Sequence, residues 1–287
     1  MSGLTTQQST KTLPIKNELS AFAAMVRKEL TIMARYPVNF VASFAQTFLI
    51  IAIFTLGGSL FYKDYSSQAG EAGNSGVAVY GLILFMFMSD TLWTIGYNIR
   101  NEQVQGTLEQ LYLSPASKFA NLVSRVTNTL LWTGLLSITG GVLMTLMIGE
   151  LPFENPLLGL YLLVMVLSGT FGIGFAFAGL TLVIKEASQT LANFLQFSLL
   201  VFCANFFPFS ALPPFLLHFS RLLPPAYGVD AFRSALMGFP EGMPELAPFS
   251  VELIIVTAFG LLMPLVGYLC YRWAEKSARQ RGSLSSY

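Results

Sequence analysis

The acidic and amide side chains that interrupt apolar runs are the residues of this sequence best suited to chemistry. Asp90 stands within a long apolar segment, where a carboxylate is costly unless it faces a cavity or a partner group. Two interpretations stay open: a substrate-path or proton-linked group, and an acid that supports helix packing beside water. Gln189, Asn193 and Gln196 recur at four- and three-residue spacing and so share one helix face. Such a stripe favours a subunit contact or a translocation path over a lipid-facing surface.

The residue pattern does not favour an intramembrane enzyme. His218 is the only histidine, and no nucleophile and base accompany it at a recognisable spacing. The acidic residues lack metal-ligand spacing, and no phosphate loop of the form Gly-x4-Gly-Lys-Ser/Thr occurs. Ser168, Gly172 and Ala176, each four residues apart, predict a small-residue face for close helix packing. We therefore expect no cofactor and no metal on this chain.

The composition is that of a membrane protein. Hydrophobic residues make up 54% of the chain and charged residues only 11%, whereas soluble domains carry about 25% charged residues. So few charges cannot coat a globular surface, and much of the surface must face lipid. The net charge of +1 indicates no attraction to nucleic acid.

Six apolar segments are each long enough to cross a bilayer core of about 30 Å as a helix. The predicted fold is therefore an all-α integral membrane protein with six transmembrane helices in residues 38–273. The spans are Val38–Phe61, Gly76–Ile99, Phe119–Ile148, Leu157–Ile184, Thr190–Phe207 and Val251–Trp273. A flexible tail (1–16) and an amphipathic interfacial helix (17–37) precede them, and a basic cytoplasmic tail (274–287) follows.

The positive charges predict the orientation. With six spans both termini lie on one side, and that side holds 13 of the 16 Lys and Arg residues. The other side holds Lys63, Arg221 and Arg233. The positive-inside bias therefore places both termini in the cytoplasm, in a bacterial inner or plasma membrane.

Residues 208–238 form neither a span nor an ordinary loop. Pro213-Pro214 and Pro224-Pro225 divide them into two short apolar segments, each about half the length needed to cross. We expect two re-entrant helices that dip into the outer leaflet and close the outer end of a path. Phe206, Phe207 and Pro208 would form the gate there.

A polar stretch, Glu102–Pro115, follows the second span. Val104, Leu108 and Leu111 share one face of a short helix, and Glu102, Gln105 and Glu109 remain for water or a protein groove. A docking helix and a plain connecting helix both fit these residues.

Three motifs carry a family resemblance. The most specific is Glu102-x3-Gly106-Thr-Leu-Glu-x-Leu111, followed by Ser114-Pro115. The others are Leu212-Pro213-Pro214 with Leu223-Pro224 and Arg233, and Arg27-Lys28-Glu29 with Tyr36-Pro37 in the interfacial helix. With the six spans, they make nearly the whole chain resemble the membrane subunit of type-2 ABC exporters, the ABC-2 permease family.

The resemblance implies a permease that forms a homodimer and binds a pair of separate ATP-binding-cassette subunits, which use ATP and Mg. The first coupling helix would contain Glu102, Gln105, Gly106, Thr107, Leu108, Glu109 and Leu111. Lys185 and Glu186 would form a second contact, and Arg27, Lys28 and Glu29 would reach the ATPase from the interfacial helix.

The expected function is export of a hydrophobic or amphipathic substrate, such as a drug-like metabolite, a lipid or a lipid-linked glycan. The path would be lined by Asp90, Trp93, Gln189, Asn193, Gln196 and Asn205. The alternative is a self-contained channel or a proton-coupled carrier that uses Asp90.

Overall fold

The computed structural model describes residues 76–94, 130–142, 145–146, 151–184 and 188–280, and scattered positions between 27 and 53. These residues form helices joined by short turns, and no strand occurs among them. The all-α prediction is therefore confirmed for this part of the chain. The predicted coupling helix, with Glu102 through Leu111, and the positions Lys28, Glu29, Lys185 and Glu186 lie outside the described residues.

Seven helices follow one another in the continuous described ranges. They are α1 (Gly76–Thr94), α2 (Leu130–Val142), α3 (Pro156–Ile184), α4 (Ser188–Phe202), α5 (Pro214–Leu222), α6 (Pro224–Leu236) and α7 (Phe249–Gln280). A 3₁₀ turn, Phe209–Ala211, lies between α4 and α5. Proline occupies the first turn of both α5 and α6, where its missing N–H costs nothing because no acceptor lies behind it.

Three helices are long and apolar enough to cross a membrane. Their candidate segments are Gly76–Thr94, Pro156–Thr181 and Phe249–Ser277, of 19, 26 and 29 residues. At about 1.5 Å of rise per residue, each matches or exceeds a hydrocarbon core of about 30 Å. α1 is mostly buried by the chain's own helices, whereas α7 exposes most of its surface. α1 therefore lies at the centre of the bundle and α7 at its periphery.

Helices α3 and α7 pack closely against each other. A Cβ on Gly172 would overlap the backbone of Met263 and Pro264, so only glycine permits this approach. Pro264 cannot donate to Gly260, four residues earlier, and the Ser168 hydroxyl donates to that carbonyl instead at 2.7 Å. The predicted small-residue face is confirmed at Ser168 and Gly172. Ser168 also gives the Gly260 carbonyl the hydrogen bond that Pro264 cannot donate.

The two short helices expected between residues 208 and 238 are present, with unlike surroundings. On α5, Phe215 and Leu222 are 69% and 76% exposed. On α6, eleven of the thirteen residues are buried, because the helix packs against both α3 and α7. α6 is therefore part of the core, and entry of either helix into a leaflet stays a prediction.

Two helix ends differ from the sequence-based expectation. α4 ends at Phe202 rather than Phe207, because the chain turns at Cys203–Phe206 and Ala204 takes a left-handed conformation with φ 47°. Its 15 residues span about 22 Å, less than a bilayer core. α7 continues past Trp273 to Gln280, into residues expected to be a tail.

Part of the first predicted span is also helical. The described positions between 27 and 53 are all in helix, and Arg27 is exposed. The Phe48 ring packs against a small cluster formed by Val79, Leu82 and Phe206. This contact brings the N-terminal region onto α1 and onto the turn that follows α4.

Candidate functional site

A polar cluster joins α1 to α4 inside the apolar bundle. The Trp93 indole nitrogen donates to Gln196 Oε1 at 2.7 Å, and Gln196 Nε2 donates to Ser89 Oγ at 2.7 Å. Because an indole N–H can only donate, it determines the orientation of the Gln196 amide. Two residues of the predicted path, Trp93 and Gln196, are therefore in direct contact, with Ser89 as an additional member.

Asp90 contacts the neighbouring helix α2. The Thr133 hydroxyl, fully buried, donates to Asp90 Oδ2. The carboxylate thus has a hydrogen-bond donor in a part-buried setting, which lowers the cost of holding it in the bundle. This contact favours neither the transport interpretation nor the packing interpretation on its own.

The other predicted path residues have different surroundings. Gln189 and Asn193 are exposed on α4. Asn205 is fully buried, and its Nδ2 donates to the carbonyls of Leu199 and Leu200 at 2.9 and 3.4 Å. Both carbonyls lie in the last turn of α4, where that of Leu199 also accepts from the Cys203 amide at 3.1 Å, so Asn205 acts as an additional C-terminal cap.

The predicted gate residues lie in the turn after α4. The side chain of Phe206 is 9% exposed and packs on α1, with its ring 6.3 Å from that of Phe85. Phe207 and Pro208 are half-buried. A Cβ on Gly81 of α1 would overlap the carbonyl of Asn205. The turn therefore rests directly on the α1 backbone.

Arg233 of α6 holds this turn in place. Its Nη1 donates to the carbonyls of Ala204 and Phe207 at 3.0 and 3.1 Å. Its guanidinium carbon lies 5.2 Å from the centroid of the Phe209 ring, which is a cation–π distance. Asp230, one helical turn earlier, has Oδ1 4.0 Å from Arg233 Nη2. Both side chains are fully buried, so this ion pair is part of the core.

Two of the three carboxylates around Arg233 bind three consecutive backbone amides of the loop between α6 and α7. Asp230 Oδ2 accepts from the amides of Glu245 and Leu246 at 2.7 and 2.8 Å. Glu252, in the first turn of α7, reaches back to the amide of Ala247, which precedes the helix, at 3.2 Å. These bonds hold the loop against α6 and against the start of α7.

The third carboxylate, Glu245, reaches from the loop to the 3₁₀ turn. Its two oxygens accept from the amides of Phe209 and Ser210 at 3.1 and 2.6 Å. Burial raises the pKa of the nearby Asp230 carboxyl, whereas Arg233 and the loop amides act to lower it. The four side chains, Asp230, Arg233, Glu245 and Glu252, are called the ionic cluster below.

Sequence reasoning placed no function on most of these residues. Arg233 was noted only as part of a motif, while Asp230, Glu245 and Glu252 were not singled out. Asp230 and Arg233 are three residues apart on a helix, which is a recognisable signal. Glu252 in the first turn of the last apolar helix is another, because an acid there binds free helix amides.

Comparisons with known proteins agree with these features. The profile of the family described as ABC-2 type transporter matches residues 20–237, well over half of the chain. A comparison with curated proteins gave no match. The matched region contains α1 through α6, and two of the three long apolar helices with them. The chain therefore belongs to the ABC-2 type transporter family, as the integral-membrane permease component of an ABC transporter, a transport subunit that works with an ATP-binding-cassette ATPase.

Proposed function

We propose that this chain is the permease of an exporter that moves a hydrophobic or amphipathic substrate out of the cytoplasm. The energy comes from a pair of separate ATP-binding-cassette subunits, and two copies of the chain form the membrane unit. Both termini lie in the cytoplasm of a bacterial inner or plasma membrane. Six spans cross it, with α5 and α6 at the outer face.

The observation that carries the proposal is the position of the polar cluster within this family's fold. Ser89, Trp93 and Gln196 place hydrogen-bonding groups between α1 and α4. Beyond the far end of α4, the turn is closed by Arg233. A polar cluster between α1 and α4, next to a closed turn, is consistent with a translocation path that opens when these two helices shift.

Energy enters through the polar stretch after the second predicted span. Glu102, Gly106, Leu108 and Leu111 form the coupling helix in this proposal, with Lys185 and Glu186 at a second contact. The interfacial helix adds Arg27, which is exposed in the structure. Closure of the ATPase pair on ATP moves the coupling helix as a rigid lever, and the bundle follows.

Coupling can be tested with the ATPase that co-purifies with the tagged chain. Glu102→Ala with Leu108→Ala is expected to reduce recovery of that ATPase at least tenfold, because both docking contacts are lost. Glu241→Gln, an exposed acid in the α6–α7 loop, serves as the matched control. Unchanged recovery and unchanged transport-coupled ATP hydrolysis in the double variant would refute the docking assignment.

The path assignment needs a separate test. Gln196→Leu removes both hydrogen bonds of the polar cluster, and transport in proteoliposomes should fall at least tenfold while ATPase recovery stays normal. Ser198→Ala on the same helix loses only a bond to its own helix backbone and is the control. Equal transport in the two variants would remove Gln196 from the path.

A further inference from the structure

Three fully buried ionisable side chains meet where α6 joins the start of α7. Asp230, Arg233 and Glu252 each have 0% exposed surface. If all three were ionised, two negative charges would face one positive charge inside the protein. An unbalanced buried charge is expensive, because neither water nor a counter-charge compensates its lost hydration. These three side chains therefore need one more positive charge or one fewer negative charge.

In the described part of the chain, the other titratable groups that face these three side chains do not provide this balance. Glu245 is an acid and brings no positive charge, and its two oxygens accept backbone amides at a partly exposed position. The Cys203 thiol, at the end of α4, faces Arg233 and is neutral when protonated. Among the described residues, no group of three His, Cys, Asp or Glu side chains is arranged to hold a metal ion.

The hydrogen bonding of Asp230 and Glu252 indicates how the extra negative charge is compensated. Each uses one oxygen for the loop amides, and the other oxygens, Asp230 Oδ1 and Glu252 Oε2, are buried without a donor. The two carboxyl groups accept from consecutive amides, those of Leu246 and Ala247, and therefore lie side by side. Two carboxylates cannot bond to each other, because neither has a hydrogen to donate. One proton between them would satisfy both groups and leave the three fully buried side chains without net charge.

We propose that Asp230 and Glu252 share one proton in the folded protein at neutral pH, and that this proton holds the α6–α7 loop onto the core. The proton-binding site is independent of what the protein transports. A water beside Arg233 would satisfy its Nε and Nη2, which also lack acceptors, but it would not neutralise the second carboxylate. The shared proton neutralises one carboxylate and gives the two unpaired carboxyl oxygens a hydrogen bond.

The proposal has a definite consequence for stability against pH. An exposed carboxyl of the unfolded chain releases its proton near about pH 4. The folded protein keeps this proton to a higher pH than the unfolded chain does. Between the pKa of the unfolded carboxyl and that of the folded pair, folding therefore takes up a proton. Stability then falls as pH rises through this interval, until the folded pair also titrates. At alkaline pH the two charged carboxylates repel each other and loosen the loop from α6.

Infrared difference spectroscopy on the full-length protein in nanodiscs tests the site directly. The wild-type spectrum minus that of Glu252→Gln, at about pH 7, should contain the carbonyl band of one protonated carboxyl group. Asp230→Asn should lose the same band, since either substitution removes a partner of the shared proton. Glu241→Gln, in the same loop but exposed, should keep it. Retention of the band in Glu252→Gln would overturn the proposal.

Thermal unfolding provides a second readout. Glutamine at 252 can accept from Ala247 and donate to Asp230, so this variant should fold. The Tm of the wild type should fall between about pH 6 and about pH 9. The fall should be clearly smaller in Glu252→Gln than in the wild type or in Glu241→Gln. Equal pH dependence in all three proteins would also overturn the proposal.

Discussion

Arg233 of α6 donates a hydrogen bond from Nη1 to the carbonyl oxygen of Ala204, 3.0 Å away, where the chain turns after α4. Ala204 has φ 47°, a left-handed conformation that a non-glycine residue holds only when its surroundings impose it. The buried guanidinium is the group that imposes it, together with the capping amide of Asn205. A residue on one short helix thus determines the end of another helix.

Replacing Arg233 with Met should lower the free energy of unfolding by about 3–5 kcal/mol. The substitution removes two hydrogen bonds to the turn and leaves Asp230 buried without its counter-charge. Thermal unfolding of the purified protein measures the loss. Arg221→Gln, on exposed α5, removes a positive charge from the surface and should change the Tm little. Similar values for the two variants would show that the buried ion pair does not stabilise the fold.

Ser168→Ala should cost about 1–3 kcal/mol, since it leaves the Gly260 carbonyl without a donor. A double-mutant cycle with Pro264→Ala identifies the cause, because an alanine at 264 restores the N–H that the helix lacks. In the Pro264→Ala background the cost of Ser168→Ala should be clearly smaller. Additive effects in urea or thermal unfolding would contradict the role assigned to Ser168.

Gly81→Ala should destabilise the fold by about 1–3 kcal/mol, the usual cost of overpacking. Its Cβ would overlap the Asn205 carbonyl, and the turn after α4 would have to move. Gly141→Ala on α2 is the matched control, because nothing lies within 4 Å of its Cβ. That substitution should be neutral or stabilise the helix by up to about 1 kcal/mol. A comparison of Tm values separates the two, and equal shifts would contradict the contact.

Asp90→Asn separates the exporter from a proton-driven carrier. We expect transport in proteoliposomes to require the ATPase, and Asp90→Asn to retain ATP-dependent transport, since Asn can still accept from Thr133. Thr133→Val, which removes the donor, controls for loss of the contact itself. Transport that proceeds without any ATPase and disappears in Asp90→Asn would instead support the carrier.

The sequence predicted well where local rules decide the structure. Prolines at 214 and 224 begin α5 and α6 because the ring fixes φ near a helical value and needs no acceptor behind it. The apolar lengths of α1, α3 and α7 follow from composition alone. The end of α4 was predicted less well, because an apolar run continues to Phe207 while the backbone turns at Cys203. The pattern of hydrophobic residues does not indicate that the backbone turns there.

The sequence by itself determined an all-helical, membrane-embedded class of protein, because helix-length apolar runs have no other stable arrangement in lipid. It also indicated the family, through motifs after the second predicted span and around the paired prolines. Only the tertiary structure decided that Asp230, Arg233 and Glu252 meet in one buried cluster, and that Trp93 bonds to Gln196. Glu252 approaches α6 from α7, and Trp93 reaches Gln196 from another helix, so these contacts depend on burial and on distances between separate helices, which no local pattern of residue types encodes.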